Sequence, residues 1–260
     1  MIVRLAIAIG MAALVADEAR AELVTRVVEY QHEGTALKGY LAYDGSISGR
    51  RPGVLVIHEW WGLNDYARMR ADMLARMGFV ALAADMYGGG MVAENRDHAA
   101  TLSGQFMGQP LIRTRARAGL DVLAGHELVD PKRLAAIGYC FGGTTVLQLA
   151  YSGAELAGVV SFHGGLPAPQ PDDYGRIKAR VLLAHGADDP FVSADTIAAF
   201  QKGMRESGAD WQMIYYGKAM HSFTNPQAGG ANIRGAAYDK LADERCWGHM
   251  KVFFDEIFAK

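Results

Sequence analysis

The chain has 260 residues, half of them hydrophobic and 21% charged, with a formal net charge of -2. That is the composition of a globular protein with a full core, long enough for one large α/β domain or two small ones. The near-neutral balance excludes a basic field able to hold nucleic acid or an anionic membrane surface.

The first residues read as a secretory leader. Met1 to Arg4 give a short basic start, Leu5 to Ala16 are almost wholly apolar, and Ala19-Arg20-Ala21 fits a small-x-small cleavage site. The apolar run falls short of the roughly 20 residues that span a bilayer, so cleavage between Ala21 and Glu22 is expected rather than membrane insertion. The mature chain is then one domain over 22–260, periplasmic or secreted. Next, Val24 to Tyr30 and Leu37 to Tyr43 read as two strands paired across Glu33-Gly34. Gly53 to His58 contains the continuous apolar run of a strand buried on both faces. Asn64 and Asp65 start a helix that places Tyr66, Met69, Met73, Leu74 and Met77 at helical spacing and stops at Gly78. Phe79 to Ala84 is a second buried strand. Tyr87 to Pro110, with Gly88-Gly89-Gly90, reads as a small lid or irregular insertion.

Leu111 to His126 is helical, Asp130-Pro131 marks a turn, Leu134 to Tyr139 is a strand and Thr144 to Tyr151 a short apolar helix. Strands follow at Leu156 to Phe162, Arg180 to Ala184 and Trp211 to Tyr216, with a helix from Ser193 to Ser207 between the last two. Tyr238 to Phe258 closes the chain as a helix with Leu241, Trp247, Met250, Phe254 and Phe258 largely on one side. The alternation predicts a mainly parallel sheet with helices on both faces, and a site at the carboxyl ends of its strands.

The strongest local signal is Gly138-Tyr139-Cys140-Phe141-Gly142-Gly143, between a predicted strand and a predicted helix. This is the nucleophile-elbow pattern of the α/β-hydrolase fold with cysteine at the nucleophile position. The sharp turn lifts the side chain out of the sheet, and Gly138 and Gly142 remove bulk that the turn cannot hold. The helix N-terminus behind it favours a thiolate and a developing oxyanion. In this fold the order is nucleophile, acid, base. Val181 to Ala184 runs into His185-Gly186-Ala187-Asp188-Asp189-Pro190, and Ile214 to Tyr216 runs on to His221. Asp189 is chosen over Asp188 because Gly186-x-x-Asp189-x-x-Val192 has the spacing of an acid loop. Of eight histidines, His221 alone occupies the loop after the last strand, while His58, His163 and His185 also end strands. Cys140, Asp189 and His221 thus read as a triad for acyl transfer through a thioester. The backbone N–H groups of Phe141 and Trp60 are the expected oxyanion donors.

Gly-Tyr-Cys-Phe-Gly-Gly, His-Glu-x-x-Gly at His58 to Gly62, and His221-Ser222-Phe223 together resemble the dienelactone hydrolase family, from about Leu37 to the C-terminus. The resemblance implies carboxymethylenebutenolidase-like hydrolysis of an ester or lactone. It also implies that Glu59 contacts the resting thiol and helps to generate the thiolate once substrate binds. It further implies two arginines that hold the substrate carboxylate. Here the matching segments read Asp85-Met86-Tyr87-Gly88-Gly89 and Thr224-Asn225, neither of them basic, which leaves Arg96 and Arg113 as candidates. Trp60, Trp61, Tyr87 and Phe223 are expected at the mouth of the site as a substrate pocket. The other readings are an exported thioesterase or broad esterase, and a non-catalytic binding protein on the same scaffold. No metal or cofactor is expected: His58-Glu59 lacks the second histidine of a zinc helix, Gly62 standing there instead. Cys140 and Cys246 lie in unlike settings and are expected unpaired. The partner expected is a small-molecule ester or lactone, and no oligomeric state follows from the sequence.

Overall fold

A computed structural model describes residues 22–230 and 233–259; the leader expected over residues 1–21 lies outside the described residues. The elements are β1 (Leu23–His32), β2 (Thr35–Asp44), β3 (Arg51–Ile57), α1 (Asp65–Arg76), β4 (Val80–Ala84), α2 (Arg96–Gly104), α3 (Leu111–Ala124), β5 (Val129–Tyr139), α4 (Phe141–Tyr151), β6 (Gly158–Phe162), β7 (Arg180–Gly186), α5 (Ala194–Ser207), β8 (Trp211–Tyr216) and α6 (Lys240–Ile257). One sheet of eight strands runs β1-β2-β4-β3-β5-β6-β7-β8. The strands from β4 across to β8 pair in parallel, and the β1–β2 hairpin joins through β2, antiparallel to β4.

The two-residue strand period divides the core. Leu55, Ile57, Leu82 and Ala136 face one side, under α3, α4 and α5; Val54, Val56, Ala81 and Ile137 face the other, under α1 and α6. Strands covered on both faces become continuous apolar runs, and Val54 to Ile57 are wholly buried. The hairpin turns at Glu33 and Gly34, both at positive φ, which matches the twist of the flanking strands. A third, small apolar cluster of Ala93, Ala99 and Leu102 packs against Trp60, Trp61 and Tyr87, apart from the two main cores.

Four elements differ from the sequence expectation, each for a local reason. The expected lid segment contains α2, a nine-residue helix capped by the Asn95 side chain accepting from the His98 N–H. Only Ala99 and Leu102 are buried along it, so its apolar periodicity is faint. Asp130-Pro131 does turn, but inside β5: the register slips between Arg51 and Gly53, and Asp130 accepts from the Lys132 N–H across the irregularity. α4 begins at Phe141, three residues before Thr144, because Cys140 is its N-cap. In α1 the buried stripe is Tyr66, Ala67, Arg70, Ala71, Leu74 and Ala75; Met69 is exposed, as is Leu241 in α6.

Arg70 is the unexpected core residue. Its guanidinium donates to the Thr224 carbonyl and to Asp243, both at 2.6 Å, and lies over the rings of Tyr66, Tyr139 and Trp247. It bolts α1 to α6 and to the loop that carries His221. Breaking a buried pair from one side leaves a charge without its partner. Arg70→Met is therefore expected to cost about 3–5 kcal/mol in urea unfolding, with much of it recovered in the Arg70→Met/Asp243→Leu double variant. A loss below about 1 kcal/mol, the worth of a surface pair, would show that the ion pair does not hold these elements together.

Candidate active site

The carboxyl ends of β3, β5, β7 and β8 meet at one cavity of about 810 Å³, lined among others by Glu59, Trp60, Trp61, Cys140 and His221. That volume suits a small-molecule site. Cys140 sits between β5 and α4 at φ 54° and ψ -113°, a conformation that carries strain in any residue with a Cβ. The neighbouring glycines make it possible. A Cβ on Gly138 would lie 2.0 Å from the Gly142 carbonyl oxygen, and one on Gly142 would lie 2.2 Å from that of Ile57. The start of α4 is thereby pressed against the end of β3.

His221 lies in the loop between β8 and α6, and Asp189 in the loop after β7. Asp189 is buried and uses both oxygens: one accepts from the Phe191 N–H and the other from His221 Nδ1, at 2.8 Å. Asp188 is exposed and, among the described residues, makes no hydrogen bond to the imidazole. A carboxylate accepts only, so Nδ1 carries the proton and Nε2 is left for Cys140. Burial disfavours the imidazolium most strongly, but the Cys140 sulfur and the Asp189 carboxylate together hold its pKa well above the ordinary histidine value. The arrangement favours the imidazolium form of His221.

Among the described residues the backbone N–H groups of Trp60 and Phe141 have no acceptor. One borders the cavity after β3, and the other opens α4. Trp61 also lines the cavity, its ring 5.0 Å from that of Trp60. Two residues expected there sit elsewhere. Phe223 is fully buried behind the site, packed on the rings of His163 and Tyr216, because its side chain turns into the core beneath the His221 loop. Tyr87 packs on His58, Phe106 and Phe141 and donates its hydroxyl to the Trp60 carbonyl, so it supports the wall rather than lining it.

Glu59 is buried with both oxygens occupied: Ser222 donates to one at 2.8 Å and Asn225 to the other at 2.6 Å. Among the described residues its carboxylate makes no hydrogen bond to the Cys140 sulfur. It ties the loop after β3 to the loop that carries His221. Burial pushes its pKa up, outweighing the Ser222 and Asn225 donors and the nearby His221 and Arg70.

Behind the Cys140 side chain, the Cys140 N–H is shared between the Phe162 carbonyl and His163 Nδ1, at 3.0 and 3.1 Å. His163 then donates from Nε2 to the Thr224 hydroxyl, which pairs with that of Tyr66. Burial first, then the positive neighbours His221 and Arg70, pull the His163 pKa far down, so the ring is a neutral acceptor. The sequence reading missed Ser222, Thr224 and Asn225 as site residues and gave His163 only as one of three further histidines at strand ends. The only signal for them was position, at strand ends or directly beside His221.

Comparison with known proteins decides the relationship. Residues 37–258 match the dienelactone hydrolase family. The chain belongs to that family. A dienelactone hydrolase-like promiscuous phosphotriesterase from metagenomic libraries is 45% identical and superposes with a TM-score of 0.88, covering 91% of this chain and 99% of that one. The protein usf of Aquifex pyrophilus is 29% identical over 239 residues, 90% of this chain and 99% of that protein. The dienelactone hydrolase of Anabaena variabilis, 20% identical with a TM-score of 0.60 over 88% of this chain and 98% of that one, shares the fold. The architecture is that of an α/β-hydrolase.

Within this dienelactone hydrolase scaffold, both segments that lack an arginine have other work. Thr224 and Asn225 hold His163 and Glu59, as above. Asp85 accepts from the N–H groups of Lys38, Tyr87, Gly88 and Gly90, folding the glycine turn around its carboxylate. Of the two remaining candidates, Arg113 is engaged by Asp173 and Gln148, whereas Arg96 lines the cavity at its exposed mouth.

Two measurements probe this geometry. Gly142→Ala forces backbone against backbone and is expected to lower stability by about 3 kcal/mol or more. Gly104→Ala, in α2 with nothing within 4 Å, should gain up to about 1 kcal/mol in the same urea titration. Equal effects would mean that the approach of α4 to β3 is not tight. The second concerns Glu59. A raised folded-state pKa means that the folded protein holds the proton more firmly, so stability falls as pH rises from the ordinary glutamate value to the raised one, then levels off. Glu59→Gln escapes that fall. Its Tm relative to the parent should climb across the window and then stay flat; a pH-independent difference would refute the linkage.

Proposed function

We propose that this protein hydrolyses carboxylic esters or lactones by nucleophilic catalysis at Cys140, with His221 as acid–base and Asp189 as its orienting carboxylate. The observation that carries this reading is the meeting, in one cavity, of a strained cysteine, an Asp189-bound imidazole and Trp60 with its unpaired N–H, while the unpaired Phe141 N–H opens α4 directly after the cysteine. The thiolate attacks the carbonyl carbon, and the charge moved onto the oxygen is received by the two N–H groups. As the tetrahedral intermediate collapses, the carbon–oxygen bond to the leaving group breaks, and the proton on His221 Nε2 goes to the departing alkoxide. Water then attacks the thioester while His221 takes its proton; the acid leaves and the imidazolium–thiolate pair is restored.

Glu59 acts here as a buried strut between two loops, and thiolate formation is driven by His221. Arg96 at the mouth is the cation available to a substrate carboxylate, from a different element than the arginines expected from the family. The leader over residues 1–21 directs the protein to the periplasm or outside the cell. Hydrolysis of phosphotriesters is a second reading, favoured by the 45% identity to a promiscuous phosphotriesterase. It uses the same thiolate and oxyanion donors at a tetrahedral phosphorus.

The test is turnover of dienelactone, p-nitrophenyl esters, a thioester and a p-nitrophenyl phosphotriester by the purified protein and by Cys140→Ala. Ester or lactone turnover is expected, falling at least about 10³-fold in the variant. Turnover that survives Cys140→Ala refutes the nucleophile. No turnover, with Cys140 inert to iodoacetamide, leaves a binding protein.

A further inference from the structure

An oxyanion donor is useful only if its peptide is held in one orientation, and the Glu59–Trp60 peptide lies in a loop rather than a helix or strand. Its holder is visible in the structure. His58 is fully buried, and its Nδ1 lies 2.5 Å from the Glu59 carbonyl oxygen. A carbonyl only accepts, so Nδ1 bears the proton, while Nε2 accepts from the Met86 N–H at 3.4 Å. Burial pushes the His58 pKa down to about 4, keeping the ring neutral with one donor and one acceptor.

The peptide following Glu59 is trans, as are all those described, so its carbonyl and its N–H point in opposite directions. The carbonyl is drawn back to His58 and to the Gly62 N–H. The Trp60 N–H is thereby turned away from His58. The ring itself cannot swing: it stacks on Phe141 with centroids 5.9 Å apart and meets Tyr87 edge-on at 4.9 Å. Tyr87 in turn donates to the next carbonyl, that of Trp60. Both carbonyls flanking the Trp60 N–H are thus fixed by side chains that do not line the cavity.

We propose that His58 is a positioning residue that aims the Trp60 N–H at the developing oxyanion, touching neither substrate nor thiol. Without its donor, the Glu59 carbonyl is held by the Gly62 N–H alone, and a rotated peptide presents a carbonyl oxygen where negative charge develops. The inference rests on the reading of Trp60 N–H as an oxyanion donor.

The test separates oxyanion stabilisation from thiolate reactivity. Alkylation of Cys140 by iodoacetamide is displacement at a saturated carbon and forms no oxyanion. His58→Leu is expected to lower kcat on a p-nitrophenyl ester by about 10²-fold, with KM and the alkylation rate each within about twofold of the parent. His58→Asn, which keeps an N–H near the Nδ1 position, should recover most of the kcat. Should His58→Leu fail to fold, as judged by thermal unfolding, His58→Gln takes its place, since it moves the donor away from Glu59 and should show the same loss. Unchanged kcat, alkylation falling in step with kcat, or an Asn variant no better than Leu would each overturn the proposal. A normal His58→Leu beside an inactive Cys140→Ala rejects this inference alone; an active Cys140→Ala rejects the underlying mechanism.

Discussion

The structure turns on one close approach of backbone to backbone. Gly142, at the start of α4, lies against the carbonyls of Ile57 and His58 at the end of β3, at a distance that admits no Cβ. Gly138 fits against the Gly142 carbonyl in the same way. This contact forces Cys140 to positive φ and lifts its side chain from the sheet. It also brings the peptide of Phe141 beside the loop that holds Trp60. Cys140 and two backbone N–H groups on separate elements therefore converge because the glycines let the elements touch. The strain at Cys140 is held by the eight-stranded sheet on one side and by the Phe162 and His163 acceptors on the other.

Around that contact, the polar groups form struts between loops. Glu59 reaches to Ser222 and Asn225, His163 to Cys140 and Thr224, and Arg70 to Thr224 and Asp243. All three reach the segment around His221, from the loop after β3, the loop after β6 and α1, and that segment has no helix or strand of its own over Met220–Asn225. In a low-dielectric interior, satisfied networks of this kind rigidify, while a missing partner leaves a costly orphan. The two buried histidines beside the elbow have opposite tautomers, His58 donating from Nδ1 and His163 accepting there. Each is set by a backbone group that has only one role to offer.

The sequence made the frame legible because the frame obeys short-range rules. Buried parallel strands become apolar runs, the elbow needs its glycines, and chain order places acid and base. The expected strands all appear, with small shifts at their ends. What stayed hidden depends on long-range burial. Arg70 looks like a solvated helix residue until Asp243, 173 positions away, supplies its partner. Phe223 follows His221 and Ser222, so it was assigned to the cavity; the direction of one side chain in an irregular loop is not encoded in its neighbours. Arg113 was a plausible substrate ligand until Asp173 occupied it. α2 escaped notice because a helix with two buried residues leaves almost no periodicity.

The small cluster beneath α2 carries a consequence of its own. Ala93, Ala99 and Leu102 join this helix to the body mainly through Trp60, Trp61 and Tyr87, separate from the two cores that stabilise the sheet. Sub-global opening free energies follow the apolar contact that each unit loses, so α2 forms a low-stability unit whose excursions leave the sheet intact. Substitutions along it reshape one wall of the cavity without taxing global folding. Substrate range in this protein can therefore drift through α2 while the elbow, locked by backbone contact, stays fixed.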